Sequence, residues 1–117
     1  LSRAETKHRD AIKRLLDTTD EKGAPIFREQ AQWYAVFKVL SVLYGYPSSM
    51  AQFCRIMTDW GMDQAVPKCN YESIKKVQQG VKLPPRTDLW HHDLRIADDK
   101  TKQQIIVAKR LIELLEE

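Results

Sequence analysis

The sequence predicts an all-α fold, a compact bundle of five or six helices around a central hydrophobic helix at about residues 25–44. Apolar side chains recur at spacings of three and four along most of the chain, as they do on one face of a helix. No stretch alternates apolar and polar residues as a half-buried strand does, and no internal repeat is present. The glycines stand far apart, at Gly23, Gly45, Gly61 and Gly80, where each is expected to separate or end helices.

Length and composition are those of a small globular protein. At 117 residues the chain has the usual size of one domain, so residues 1–117 are expected to form a single helical domain. The longest nearly apolar stretch, Trp33 to Tyr44, is much shorter than the ~20 residues that cross a bilayer, and no membrane partner is expected. The N-terminal residues lack the apolar stretch of a secretory signal, which makes the cytoplasm the expected location.

The first helix is predicted from Arg3 to about Thr18, because Ser2 and Glu5 have the spacing of a capping box. Its apolar face would carry Ala4, His8, Ala11, Ile12, Leu15 and Leu16. Residues 19–24 are polar and include Gly23, so they are expected to connect the first two helices.

The second helix is predicted to begin at Pro25, because the missing N–H of a proline would have no partner in a first helical turn. Apolar residues cover most of its sides, which is typical of a helix with several neighbours. Gly45 and Pro47 are expected to end it. We expect it to pack against the first, third and last helices.

The third and fourth helices follow from their capping residues. Ser49 and Gln52 predict the start of the third helix, and Gly61 its end. Asn70 is expected to cap the fourth helix, which ends at Gly80.

The last helix is predicted to start at Asp98 or Asp99, with Lys109 meeting Glu113 one turn later. A short fifth helix is expected before it, after the extended pair Pro84-Pro85, using Leu89, Trp90, Leu94 and Ala97. The residues expected to be buried are Trp33, Phe37, Leu40, Phe53, Met57, Ile74, Leu111 and Ile112.

Catalytic signals are weak. His91-His92-Asp93 contains the histidine-aspartate doublet of helical metal phosphohydrolases, but neighbouring residues on a helix point about 100° apart and the family's other ligands have no counterparts here. Cys54 and Cys69 lack a C-x-x-C spacing and are expected to be reduced and structural. We therefore expect no enzyme, metal or cofactor, and keep a small metal-dependent hydrolase only as a remote alternative.

Charge patterning points to a different function. Residues 68–86 carry a net charge of +4, from five basic residues and Glu72, whereas the whole chain carries +3. Lysine and glutamine side chains contact phosphates and base edges. The sequence therefore predicts a non-enzymatic binding or regulatory domain. The more specific prediction is that this domain binds nucleic acid. The candidate contact residues are Lys68, Lys75, Lys76, Gln79, Lys82 and Arg86.

A compact helix-turn-helix would require a tight turn between the third and fourth helices. Eight residues, including Pro67, separate Gly61 from Asn70, and the bulky Met57 stands where the compact motif needs a small residue. The compact motif therefore fails, and a variant with an extended turn remains.

Aromatic residues support an alternative function. Tyrosine and tryptophan anchor many interfaces, and the aromatic side chains of so small a domain cannot all be deeply buried. Tyr46, Tyr71 and Trp90 are the candidate partner-binding aromatics. In this alternative the chain is a helical protein-interaction adaptor, or it associates with itself.

The segments WYAVFKVLSVLYGYPSSMAQFC and CNYESIKK resemble uncharacterised helical proteins of anaerobic gut bacteria, some of them encoded near mobile elements. The resemblance implies no activity and transfers no catalytic residue. A mobile-element setting would favour a role linked to DNA or regulation, by association alone.

Overall fold

The computed structural model describes residues 1–80 and 98–117, and in these ranges the all-α prediction is confirmed. The described ranges contain five α-helices: α1 (Arg3–Leu16), α2 (Trp33–Tyr44), α3 (Met50–Asp59), α4 (Tyr71–Gly80) and α5 (Asp99–Glu116). Short 3-10 helices precede α2 (Gln30–Gln32) and follow α3 (Met62–Gln64). Within the described ranges the only β feature is an isolated bridge between Thr19 and Pro25. The predicted short helix around Leu89 and Trp90 lies outside the described residues.

Four of the predicted caps form. The Ser2 side chain accepts the Glu5 N–H at 3.1 Å, and Ser49 accepts the Gln52 N–H at 3.1 Å. Asn70 accepts the Ser73 N–H at 3.2 Å, and Asp98 accepts the Thr101 N–H at 2.7 Å. Each cap satisfies a first-turn N–H that has no partner within its own helix.

The predicted start of the second helix at Pro25 is wrong, because α2 begins at Trp33. Pro25 instead forms the bridge with Thr19, and the Ile26 N–H donates to the Thr18 carbonyl at 3.1 Å. The Gln32 side chain accepts the N–H groups of Arg28 and Glu29 at 2.8 and 2.9 Å. These bonds satisfy the N–H groups of Ile26, Arg28 and Glu29 without a helix, so Pro25 does not begin a helical turn.

The helix ends agree more closely with expectation. Gly45 follows α2 with φ of 71°, and Gly61 follows α3 with φ of 83°, a left-handed conformation that favours glycine.

The ion pair predicted on the last helix is wrong, because Glu113 pairs with Arg110 at 2.8 Å and not with Lys109. The described helices include none that is both long and apolar enough to cross a membrane.

The helices meet in one hydrophobic core. Six of the eight residues predicted to be buried are completely so: Trp33, Leu40, Phe53, Met57, Ile74 and Leu111. Phe37 and Ile112 are only half-buried and pack at the edge of the core, so their predicted burial is wrong. The Phe37 ring lies between Tyr34 and Phe53, with centroid distances of 6.3 and 5.5 Å, and its remaining side faces outward.

Helix α5 packs closely along both α1 and α2, while α4 packs on α2, on α3 and on the 3-10 helix before α2. The prediction for α2 is therefore partly wrong: α5 packs along it as expected, α1 and α3 are not among its main backbone neighbours, and α4, which was not predicted, is one of them. Aromatic side chains link α2 to α3, with the Trp33 and Phe53 rings 6.3 Å apart. This arrangement leaves the outer face of α4 open to solvent.

Candidate nucleic-acid interface

One side of α4 is held in the core and the other carries the candidate contact residues. Ile74 is completely buried and Val77 is half-buried. Lys75, Lys76 and Gln79 are all exposed, since helical geometry turns them away from Ile74. The structure thus places three of the predicted contact residues together on the solvent face of one helix.

The start of α4 is anchored to the rest of the fold. The Ser73 hydroxyl donates to the Gln30 side-chain oxygen at 2.8 Å, which joins α4 to the 3-10 helix before α2. In the preceding loop the Pro67 carbonyl accepts the Trp33 Nε1–H at 2.9 Å, and the Cys69 N–H donates to the Met62 carbonyl at 3.3 Å. Lys68, which is exposed, lies between these two bonded residues.

A further lysine joins this surface from α5. A cleft of about 160 Å³ lies between the end of α4, the 3-10 helix and the start of α5, and both Lys76 and Lys100 line it. Gln103 lines it as well. The sequence interpretation missed Lys100 and Gln103, because they follow Lys76 by more than twenty positions and belong to another helix. Only the packing of α5 beside α4 brings them together.

Acidic residues weaken the positive field of this surface. Glu72 shares a face of α4 with the lysines, at helical spacings of three and four from Lys75 and Lys76. Glu29 lines the cleft beside Lys76 and Lys100. The surface is therefore a modest basic patch, suited to a few phosphate contacts.

Two of the predicted basic residues, Lys82 and Arg86, lie outside the described residues, as do Trp90 and the His91-His92-Asp93 segment. Residues 1–80 and 98–117 contain no group of three or more His, Cys, Asp or Glu side chains placed to hold a metal ion.

The helix-turn-helix variant with an extended turn would use α3 and α4. Residues 60–70 connect the two helices and include the 3-10 helix Met62–Gln64. The two helices contact each other, with Phe53 and Met57 of α3 and Ile74 of α4 buried in the same core. The connection is long, but the hydrogen bond between the Pro67 carbonyl and the buried Trp33 fixes it to the core just before α4 begins.

The candidate partner-binding aromatics differ in their exposure. Tyr71 is 39% exposed at the start of α4, beside the basic face. Tyr46 is half-buried, and its hydroxyl lies 2.5 Å from Nδ1 of the buried His8. Burial, with smaller effects from Glu5 and Tyr44, raises the pKa of Tyr46 to about 12, so its hydroxyl stays protonated at neutral pH. Tyr46 thus links α1 to the corner after α2.

His8 makes the stability of the fold depend on pH. Burial lowers its pKa below the usual 6.5, the Lys7 charge lowers it further, and Glu5 partly opposes them. The His8 ring also contacts the Tyr44 ring, with centroids 4.2 Å apart and the ring planes tilted by 38°. A neutral ring protonated on Nε2 accepts the Tyr46 hydroxyl on Nδ1, whereas a charged ring has no acceptor.

Because the folded-state pKa of His8 is lower than the unfolded one, this contribution to stability is complete above about pH 6.5 and is lost as the pH falls. Urea unfolding of the wild type should therefore show a lower free energy of unfolding at pH 5.5 than at pH 7.5. His8→Gln is the control, because it removes the His8 ring and keeps the other two histidines of the chain, His91 and His92. Equal losses in the two proteins would contradict a role for His8.

Comparison with protein-family models, with curated proteins and with solved structures finds no match to this chain. Function is therefore inferred from the residues of the chain themselves.

Proposed function

We propose that this chain is a non-enzymatic binding or regulatory domain that contacts the phosphates of nucleic acid through the outer face of α4. The observation that carries the proposal is the common exposure of Lys75, Lys76 and Gln79 on a helix whose opposite side is buried through Ile74. Lysine ammonium groups neutralise phosphates, and glutamine amides contact phosphates or base edges.

Lys68 and Lys100 extend the same surface. Lys68 lies just before the Asn70 cap of α4, and Lys100 lines a cleft with Lys76. A nucleic-acid backbone is a line of phosphates, so it would be contacted by lysines from several elements at once. Glu29 and Glu72 limit the total attraction, which favours moderate affinity.

The double variant Lys75→Ala/Lys76→Ala should weaken binding to a short fluorescently labelled DNA duplex, measured by anisotropy. Each lysine on a phosphate releases about one counterion, so the slope of log affinity against log salt should become shallower by about 2. Lys100→Ala should make it shallower by about 1.

The matched control is Lys13→Ala/Lys22→Ala, which removes the same charge from exposed positions on other elements. If the duplex is not bound by the wild type at low salt, the proposal is wrong. It is also wrong if the control weakens binding as much as the α4 variant, because attraction would then come from net charge alone.

A second candidate function is self-association or protein binding through the end of α2. Val42, Leu43 and Tyr44 are consecutive and are 37%, 41% and 42% exposed. Apolar side chains exposed together are more typical of an interface than scattered ones. This function would be favoured over the first if the mass measured by sedimentation rises with protein concentration and the chain does not bind DNA.

A further inference from the structure

Tyr71, the first residue of α4, is an exposed aromatic side chain beside the lysines of the proposed interface. It is 39% exposed. It lies four positions before Lys75, so helical geometry places the two side chains on adjacent turns of the same face. Lys68, also exposed, precedes Tyr71 by three residues in the loop. An aromatic surface therefore lies among groups that attract phosphates.

An exposed aromatic ring can make a contact with nucleic acid that a lysine cannot. It stacks on the face of a nucleobase, whatever the sequence, because every base has a π-face. In a duplex the neighbouring base pairs cover both faces of each base, so a side chain reaches those faces only where the strand is unpaired. The position of Tyr71 beside the basic face therefore suits a single strand.

The cleft at the end of α4 also suits one strand. Its volume of about 160 Å³ is room for a single nucleobase and too little for a base pair. The residues that line it include Lys76, Lys100, Gln103 and Glu29. The Glu29 carboxylate repels phosphates, but a carboxylate accepts hydrogen bonds from the amino groups of bases, and an amide also contacts base edges. An acid that weakens a purely phosphate-binding surface is thus compatible with contact to an unpaired base.

We propose that the preferred ligand of this chain is single-stranded nucleic acid, with the lysines of α4 on its phosphates and the Tyr71 ring stacked on an unpaired base. This inference rests on the proposed function and narrows its ligand. It predicts an order of affinities opposite to the one expected from charge. A duplex carries roughly twice the phosphate charge of one strand per unit of helix length, so a surface that contacts phosphates alone would bind the duplex more tightly.

The test compares two fluorescently labelled probes of about 15 nucleotides, a single-stranded oligothymidylate and a DNA duplex, by anisotropy at low salt. The wild type should bind both probes, and the single strand more tightly. Tyr71→Leu removes the ring but keeps an apolar side chain, so it should weaken binding of the single strand by about 5- to 100-fold and change binding of the duplex little. Tyr71→Phe keeps the ring and should retain the affinity for the single strand.

The matched control is Tyr44→Leu, which removes a tyrosine that is 42% exposed on α2 and should leave the preference for the single strand unchanged. Two results would overturn the inference and leave the proposed function intact: a duplex bound at least as tightly as the single strand, or a Tyr71→Leu variant that does not weaken the single strand more than the duplex. Equal losses for Tyr71→Leu and either Tyr71→Phe or Tyr44→Leu would overturn it as well. A wild type that binds neither probe would instead overturn the proposed function itself.

Discussion

Replacing Trp33 with alanine should lower the free energy of unfolding by about 3–5 kcal/mol, the range for removing a fully buried aromatic side chain. Trp33 is 0% exposed at the start of α2. Its ring packs on Phe27 and Phe53, with centroids 4.8 and 6.3 Å away. Its Nε1–H donates to the Pro67 carbonyl at 2.9 Å. Alanine would leave a large cavity and an unpaired carbonyl, and chemical denaturation measures the loss.

Trp33→Phe separates the two contributions. Phenylalanine keeps an apolar ring but lacks the N–H donor, so it leaves the Pro67 carbonyl without its bond and should cost about 1–3 kcal/mol. A loss below about 1 kcal/mol for the alanine variant would contradict the central position of Trp33. Equal losses for the two variants would show that the hydrogen bond, and not the ring volume, dominates.

Replacing Gln104 with alanine should cost about 2–4 kcal/mol, because the buried Ala35 N–H would lose its partner and the Ala31 carbonyl would lose one of its bonds. Gln104 of α5 is 2% exposed. Its side-chain oxygen accepts the Ala35 N–H at 3.0 Å, and its amide donates to the Ala31 carbonyl at 2.7 Å. The Ala35 N–H belongs to the first turn of α2, where no intrahelical partner exists. Gln104 therefore caps α2 from a different helix.

Gln103→Ala is the matched control, because it makes the same change of residue at the next position of α5. The Gln103 backbone carbonyl accepts from Gln32 at 3.2 Å, and its side chain makes no hydrogen bond within the described part of the chain. Urea unfolding of this variant should differ from the wild type by less than about 0.5 kcal/mol. A comparable loss at both positions would remove the capping explanation.

Local features of the sequence predicted most helix boundaries correctly. The caps at Ser2, Ser49, Asn70 and Asp98 each bond an N–H three residues later. Such a bond depends only on residues within one turn, so its pattern can be read along the chain. The solvent face of α4 was predicted for the same reason, because helical periodicity places its lysines opposite Ile74.

Other features depend on residues far apart in sequence and could not be predicted. The start of α2 at Trp33 relies on Gln32 and Gln104, whose bonds replace the helical turn expected at Pro25. The half-burial of Phe37 and Ile112 depends on where neighbouring helices stop covering them. No pattern within a single helix carries that information.

The residues of the candidate nucleic-acid interface also fall into those predictable from nearby residues and those that depend on distant ones. The basic residues of α4 were found from local charge, whereas the neighbouring Lys100 was not. The sequence by itself determined the all-α class, the caps and the polarity of each helix face, because these arise from residues three or four positions apart. The tertiary structure decided where α2 begins and which lysines share a cleft, because those contacts join side chains that only packing of the helices brings together.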